Sequence, residues 1–110
     1  MSISDRLKQA LLDHYAGSVE RVGFILPDDV LIEVQNTSDE PEKSFDVSGD
    51  DIVRFADISV ATWHTHPVTS SNLSVGDYET FLLWPKHRHF IVGMDGITEY
   101  YVEDGEILIA

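Results

Sequence analysis

Apolar residues at Ile3, Leu7, Ala10, Leu11 and Tyr15 recur at helical spacing, which predicts a helix from about Ile3 to Tyr15. Ser2 and Asp5 can cap its start, and Gly17 supplies a stop. His14 lies at the edge of that stripe, where a packed or half-exposed histidine with no functional role is expected. The period then shortens. Val19 to Leu26 reads as a strand, turned by Pro27-Asp28-Asp29 into a hairpin partner over Val30 to Gln35. Asn36 to Ser44 is an acidic loop containing Pro41, expected to be a solvated connection, and Phe45-Asp46-Val47 suggests a short strand. Ser48 and Asp51 form a capping pattern ahead of a short helix that runs to about Ala56. From Ile58 to Trp63 the residues are small and apolar on both parities, the pattern of a strand covered on both faces, and it ends at His64 and His66. A helix beginning after Ser74 carries Tyr78, Phe81, Leu82 and Trp84 and stops before Pro85. His89 to Met94, Ile97 to Glu103 and Glu106 to Ile109 are separated by Asp95-Gly96 and Asp104-Gly105, which predicts a C-terminal antiparallel meander.

The 110 residues suffice for one domain, expected to span 1–110, with a single core. The absence of cysteine removes disulfides, thiolate zinc sites and the zinc nucleobase deaminases, whose signature needs a Cys pair. A formal charge of −13, from 7 Lys+Arg against 20 Asp+Glu, argues against nucleic-acid or anionic-membrane binding, because phosphate would be repelled. No apolar run approaches membrane-spanning length, and the first residues lack a basic region followed by an apolar stretch, so a cytoplasmic protein is expected.

The candidate chemistry lies in Trp63-His64-Thr65-His66-Pro67 and Ser74-Val75-Gly76-Asp77. Alternation in a strand puts residues i and i+2 on one face, so His64 and His66 aim two imidazoles at one point. Pro67 ends the strand, and after a loop to Leu73 a helix beginning at Ser74 brings Asp77 into its first turn. Two His and one carboxylate suit zinc with its fourth position open, the pattern of a catalytic site. Each half has a plainer reading. Ser74 and Asp77 form a capping box without any metal, and a lone His64/His66 pair can be strand histidines with satisfied hydrogen bonds. Their conjunction favours the metal. Glu20 falls on an otherwise apolar strand face with Val22, Phe24 and Leu26, where a carboxylate is costly unless paired or at the solvated strand end. Glu33 is a rival acid-base group, ranked lower for its mid-strand place. His87 and His89 form a second i, i+2 pair with no carboxylate at ligand spacing, and are expected to be a strand-end surface pair.

The spacing of these residues resembles the JAMM motif of the JAB/MPN metallopeptidases: His, Ser or Thr, His, seven residues, Ser, two residues, Asp. His64, Thr65, His66, Pro67 to Leu73, Ser74, Val75-Gly76 and Asp77 fill every place, and Glu20 fits the family's upstream glutamate. The resemblance implies an α+β, cytidine-deaminase-like JAB/MPN fold, with a mixed β-sheet flanked by helices. It implies one Zn2+ per chain on His64, His66 and Asp77, with Glu20 as general acid-base and Ser74 as oxyanion donor in hydrolysis of an amide or isopeptide bond. The closest likeness is to the JAB domain of bacteriophage tail assembly proteins, in Val22-Gly23-Phe24-Ile25, Asp50-Asp51-Ile52 and Ala61-Thr62-Trp63-His64.

That likeness implies a peptide or protein substrate, and as partners phage tail proteins or a separate NlpC/P60-type peptidase. A free-standing prokaryotic JAB protein, a protease for ubiquitin-like sulfur carriers and a non-catalytic zinc-containing module of a tail complex remain the alternatives. The short segments between Gln35 and Ile58 and between Asp77 and His89 leave little room for insertions that grip ubiquitin. An extended peptide laid as an added strand near His66 is the expected mode of binding.

Overall fold

The computed structural model describes residues 3–15 and 17–110, so Ser2 lies outside the described residues. It is an α+β structure in which helices flank one six-stranded mixed sheet. Helix α1 spans Asp5–Asp13, and its N-cap is Ser4, whose side chain accepts from the Leu7 N–H; Asp5 is the first helical residue rather than the cap. The helix stops two residues short of Tyr15. Strands β1 (Val22–Leu26) and β2 (Val30–Val34) form the expected hairpin. Its turn places Asp28 and Asp29 at positive φ, which short polar side chains tolerate.

Helix α2 covers Gly49–Phe55 and is capped by the Ser48 side chain on the Asp51 N–H. Strand β3 is Ala61–Thr65, helix α3 is Val75–Leu83, and strands β4 (Arg88–Gly93), β5 (Gly96–Glu103) and β6 (Glu106–Ile109) follow. The sheet order is β2-β1-β3-β4-β5-β6, antiparallel throughout except for β3 against β4, which α3 joins as a crossover. The Asp104-Gly105 turn has both residues at positive φ, as a two-residue hairpin requires. In the first C-terminal hairpin Gly93 pairs with Gly96, so the loop is Met94-Asp95, one residue before the expected place, with Gly96 taking the positive φ.

Three segments differ from expectation. Glu20 precedes β1, because Val19, Glu20 and Arg21 leave the strand ladder. Ile58 and Val60 are exposed and lie before β3, so the first half of the expected strand, 58–60, is a connection from α2 and the covered strand begins at Ala61. Phe45-Asp46-Val47 pairs with no strand; the Thr37 N–H donates to Asp46 O and the segment stays a loop.

The sheet separates two apolar layers. Leu7 and Leu11 of α1 pack on Ile25, Ala61, Trp63, Phe90 and Val92. Phe81 of α3 packs on Ile91 and Tyr100 on the opposite face. Alternation along β3 sends Trp63 and Thr65 toward α1, and Thr62 and His64 toward α3. Gly23 lies between β2 and β3 where a side chain would strike Ile32 O, and across it the Trp63 indole N–H donates to Ile32 O at 3.1 Å. Glycine there lets the largest core side chain tie three strands together.

Candidate metal centre

Strand β3 is third of six, paired with β1 through Val22↔His64 and with β4 through His64↔Ile91. His64 therefore stands on a backbone held from both sides. His66 is one residue beyond the strand, and its N–H still donates to Val92 O at 2.8 Å. After Pro67 the chain turns over the end of β4, where Gly93 lies so close to Ser70 and Ser71 that a Cβ would collide with their backbone. The Tyr15 hydroxyl donates to Pro67 O at 2.7 Å, anchoring that turn to the segment after α1.

Asp77 enters from α3. Ser74 and Asp77 form a true capping box: Ser74 Oγ accepts from the Asp77 N–H, and Asp77 Oδ2 accepts from the Ser74 N–H at 3.0 Å. The same carboxylate also meets both histidines, with His64 Nε2 2.9 Å from Oδ1 and His66 Nε2 3.0 Å from Oδ2. The plainer reading of Ser74 and Asp77 and the metal reading thus describe one arrangement, in which the cap fixes the carboxylate that faces the imidazoles.

Glu20, His64 and His66 form a group that can hold a metal ion, each offering a ligand atom within 4.8 Å of the others. Glu20 is 8% exposed, His64 1%, His66 6% and Asp77 4%. Ionisable side chains buried this deeply need partners or a cation. The donor set makes the case sharper. His66 Nδ1 lies 2.9 Å from Ser70 O, so it carries the proton and leaves Nε2 a bare acceptor in the neutral ring. That Nε2 faces a carboxylate oxygen at 3.0 Å and His64 Nε2 at 3.2 Å. Lone pairs so directed at one point are reconciled by a proton on Nε2, which the raised His66 pKa favours, or by a metal ion in its place. Tetrahedral zinc with donors at about 2.0–2.1 Å spaces them about 3.3–3.4 Å apart, close to what the side chains present. The Nδ1–H bond to Ser70 O is the outer contact that orients a ligating imidazole. The residues fit the metal.

Electrostatics agrees. Burial would raise the Asp77 carboxyl, but His64, His66 and the Ser74 amide outweigh it and hold it well below the usual carboxylate range. Burial opposes the charged form of His66, yet Asp77, the Ser70 carbonyl and Glu20 together raise its pKa. For Glu20, burial dominates and pushes the carboxyl up against the pull of His64 and His66.

The loop after β2 does more than connect. Pro41 O accepts the Glu20 N–H at 2.7 Å, and the Asn36 side chain donates to Glu20 O at 2.8 Å. Phe45 packs its ring on His64, centroids 4.6 Å apart. Sequence reasoning missed Asn36, Pro41 and Phe45, since an acidic, proline-containing segment carries no sign of which backbone it touches.

The other candidates separate cleanly. Glu33 is held by Arg21 in a two-pronged pair at 2.6 and 2.7 Å, which lowers its pKa and accounts for it without catalysis. His14 is half-buried, its Nδ1 donating to Ala10 O and its ring edge-on to Trp63. His89 is not the surface residue expected. It is 1% exposed, stacked on Phe81 and bonded through both nitrogens, to Thr62 Oγ1 at 2.7 Å and Trp84 O at 2.9 Å. Burial pushes its pKa down to about 4. His87 Nε2 contacts Ala56 O and Ser59 Oγ, so this pair is structural. A peptide strand cannot add to β3, because β1 and β4 fill both of its edges; the open edges are β2 and β6.

No family model and no curated protein matches the chain. Among solved structures, the chain is similar to the solution structure of protein DSY2949 from Desulfitobacterium hafniense, with a TM-score of 0.74 at 13% identity, covering 97% of this chain and 87% of that one. At that identity the likeness is one of fold. Among the described residues no helix is long and apolar enough to cross a membrane.

Proposed function

We propose that this chain is a zinc metallopeptidase of the JAB/MPN type, hydrolysing an amide or isopeptide bond with metal-activated water. The observation that carries the reading is the buried group of Glu20, His64 and His66, with Asp77 in contact with both imidazoles, drawn from three separate parts of the chain. A bound zinc ion supplies Lewis-acid polarisation of a carbonyl and lowers the pKa of a water toward ~7. His64, His66 and Asp77 would hold that ion. Glu20, its carboxyl pushed up by burial, would take the proton of the attacking water and pass it to the departing nitrogen as the C–N bond breaks. Ser74 Oγ accepts from the Asp77 N–H, which leaves the hydroxyl proton for the oxyanion.

Within the family we place the chain beside the JAB domains of bacteriophage tail assembly proteins, with a peptide or protein substrate in a tail complex and an NlpC/P60-type peptidase as partner. The support is the likeness of β1, α2 and β3 in sequence. The compact segments around α2 and α3 further favour an extended substrate over a folded one. The test is hydrolysis of extended peptides by the zinc-loaded chain, with a ubiquitin isopeptide for comparison. Cleavage that vanishes on chelation and in Glu20→Gln supports the reading; efficient cutting of ubiquitin chains with none of extended peptides would move the substrate to ubiquitin-like proteins.

A further inference from the structure

On the α3 face of the sheet, an apolar cavity of about 220 Å³ opens beside the metal centre, walled by Phe24, Phe45, Val47, Ile52, Phe81 and Trp84. Its floor is Thr62, His64 and His89. We propose that this cavity is the specificity pocket of the enzyme, receiving one aromatic or long aliphatic side chain of the substrate adjacent to the bond that is cut. The proposal rests on the peptidase reading above.

Size comes first. Sites for whole small molecules run to ~300–1,000 Å³, so this smaller space suits a single side chain. Chemistry comes next. His89 donates from Nε2 to Trp84 O and accepts at Nδ1 from the Thr62 hydroxyl, so the polar groups of the floor are already satisfied by one another. No lysine or arginine lines the cavity, and its one carboxylate, Asp46, belongs to an exposed loop residue. An acidic side chain entering there meets only repulsion and desolvation. A cationic one would give up its hydration with a single solvent-exposed partner. A neutral apolar side chain loses nothing and gains the walls.

Location decides the role. His64 is both floor of the cavity and member of the metal-binding group, and Phe45, which packs on its ring, is a wall. His64 therefore borders both the pocket and the place where the reacting carbonyl would sit. Adjacent residues of an extended peptide are ~3.8 Å apart at Cα, so a side chain in the pocket belongs to a residue next to the scissile bond. Phe45 and Val47 come from the loop whose Pro41 and Asn36 hold Glu20, so one segment shapes both pocket and base.

The experiment has two arms. In the first, the metal-free full chain is titrated with N-acetyl-phenylalanine amide, N-acetyl-leucine amide and N-acetyl-aspartate amide, followed by NMR. Shifts should cluster at Val47, Ile52, Thr62 and the Trp84 indole, be at least ~10-fold weaker for aspartate, and be lost in Thr80→Phe, which fills the space from α3. Val47→Phe fills it from the loop and serves if the first variant fails to fold. In the second, the zinc-loaded chain is given extended peptides differing only beside the cleavage point; apolar side chains should raise kcat/KM by ~10-fold or more over glycine, and the filled variants should lose that preference. Equal binding of the aspartate amide, unaltered binding in both filled variants, or cleavage indifferent to the flanking side chain would each overturn the pocket. Binding as described with no cleavage of any peptide or isopeptide would leave the pocket standing and sink the peptidase reading.

Discussion

Thr65 and Arg21 clasp each other across the start of β1. The Thr65 N–H donates to Arg21 O and Thr65 Oγ1 accepts the Arg21 N–H, each at 2.9 Å. The residue between the two histidines thus holds the neighbour of Glu20, and with it the approach of Glu20 to the imidazoles, from the α1 side of the sheet. Thr65→Val keeps the shape and removes the acceptor. It should lower stability by about 1–2 kcal/mol, the cost of leaving a part-buried N–H unpaired, seen as a Tm several degrees lower. Turnover should fall by about 10-fold with zinc content unchanged, because a small displacement of a catalytic group is expensive. A variant as active as the parent would show that Glu20 is placed by Pro41 and Asn36 alone.

Purified chain should carry one zinc, and His64→Ala or His66→Ala should abolish it by elemental analysis. Zinc retained at full occupancy in both variants rules the centre out. Acid should release the metal as the imidazoles protonate, since only the neutral ring ligates.

Glu20→Gln should keep zinc and lose roughly 10²–10⁴-fold in turnover. Ser74→Ala should lose about 10²–10³-fold, together with some helix stability, since Ser74 is also the N-cap. Glu33→Gln should leave chemistry intact and remove only the pair with Arg21, worth at most about 1 kcal/mol at a partly exposed position. Kinetics on the three variants assign the base; a harmless Glu20→Gln beside a crippling Glu33→Gln reverses it.

The metal-free and zinc-loaded forms should respond to pH in opposite senses. His66 has a raised folded pKa, so the stability it contributes is complete below its unfolded value, about 6.5, and is lost as pH rises through the folded value. Glu20, also raised, has the same sign: ionising it in the fold is unfavourable, and stability drops as pH rises above about 4.5. The metal-free Tm should therefore fall on going from about pH 6.5 to 8.5. With zinc bound the ring is already neutral, and the Tm should fall on acidification instead. Parallel melting series with and without chelator measure both.

Much of this was legible in the residues because the governing signals are local. The Ser74/Asp77 cap, the Asp104-Gly105 turn, the hairpin at Pro27 and the histidine alternation are each set within a few positions, and all stand in the fold. What was hidden is long-range. Ile58 and Val60 read as strand because apolar residues in a connection look the same as apolar residues in a sheet. His89 reads as surface until Phe81 and Thr62 are seen closing over it. Nothing about Gly23 announces that Trp63 crosses over it to reach β2. Phe45 sits in an acidic stretch, and only the tertiary fold brings it onto His64.

The parallel β3–β4 pair has a consequence for the order of assembly. His66 and Asp77 are 11 residues apart, within one strand-loop-helix segment, so that half of the centre closes a short loop. The Thr65–Arg21 clasp spans 44 residues and forms only when β1 docks on β3. A folding chain can thus bring His66 and Asp77 together before β1 carries Glu20 to their side.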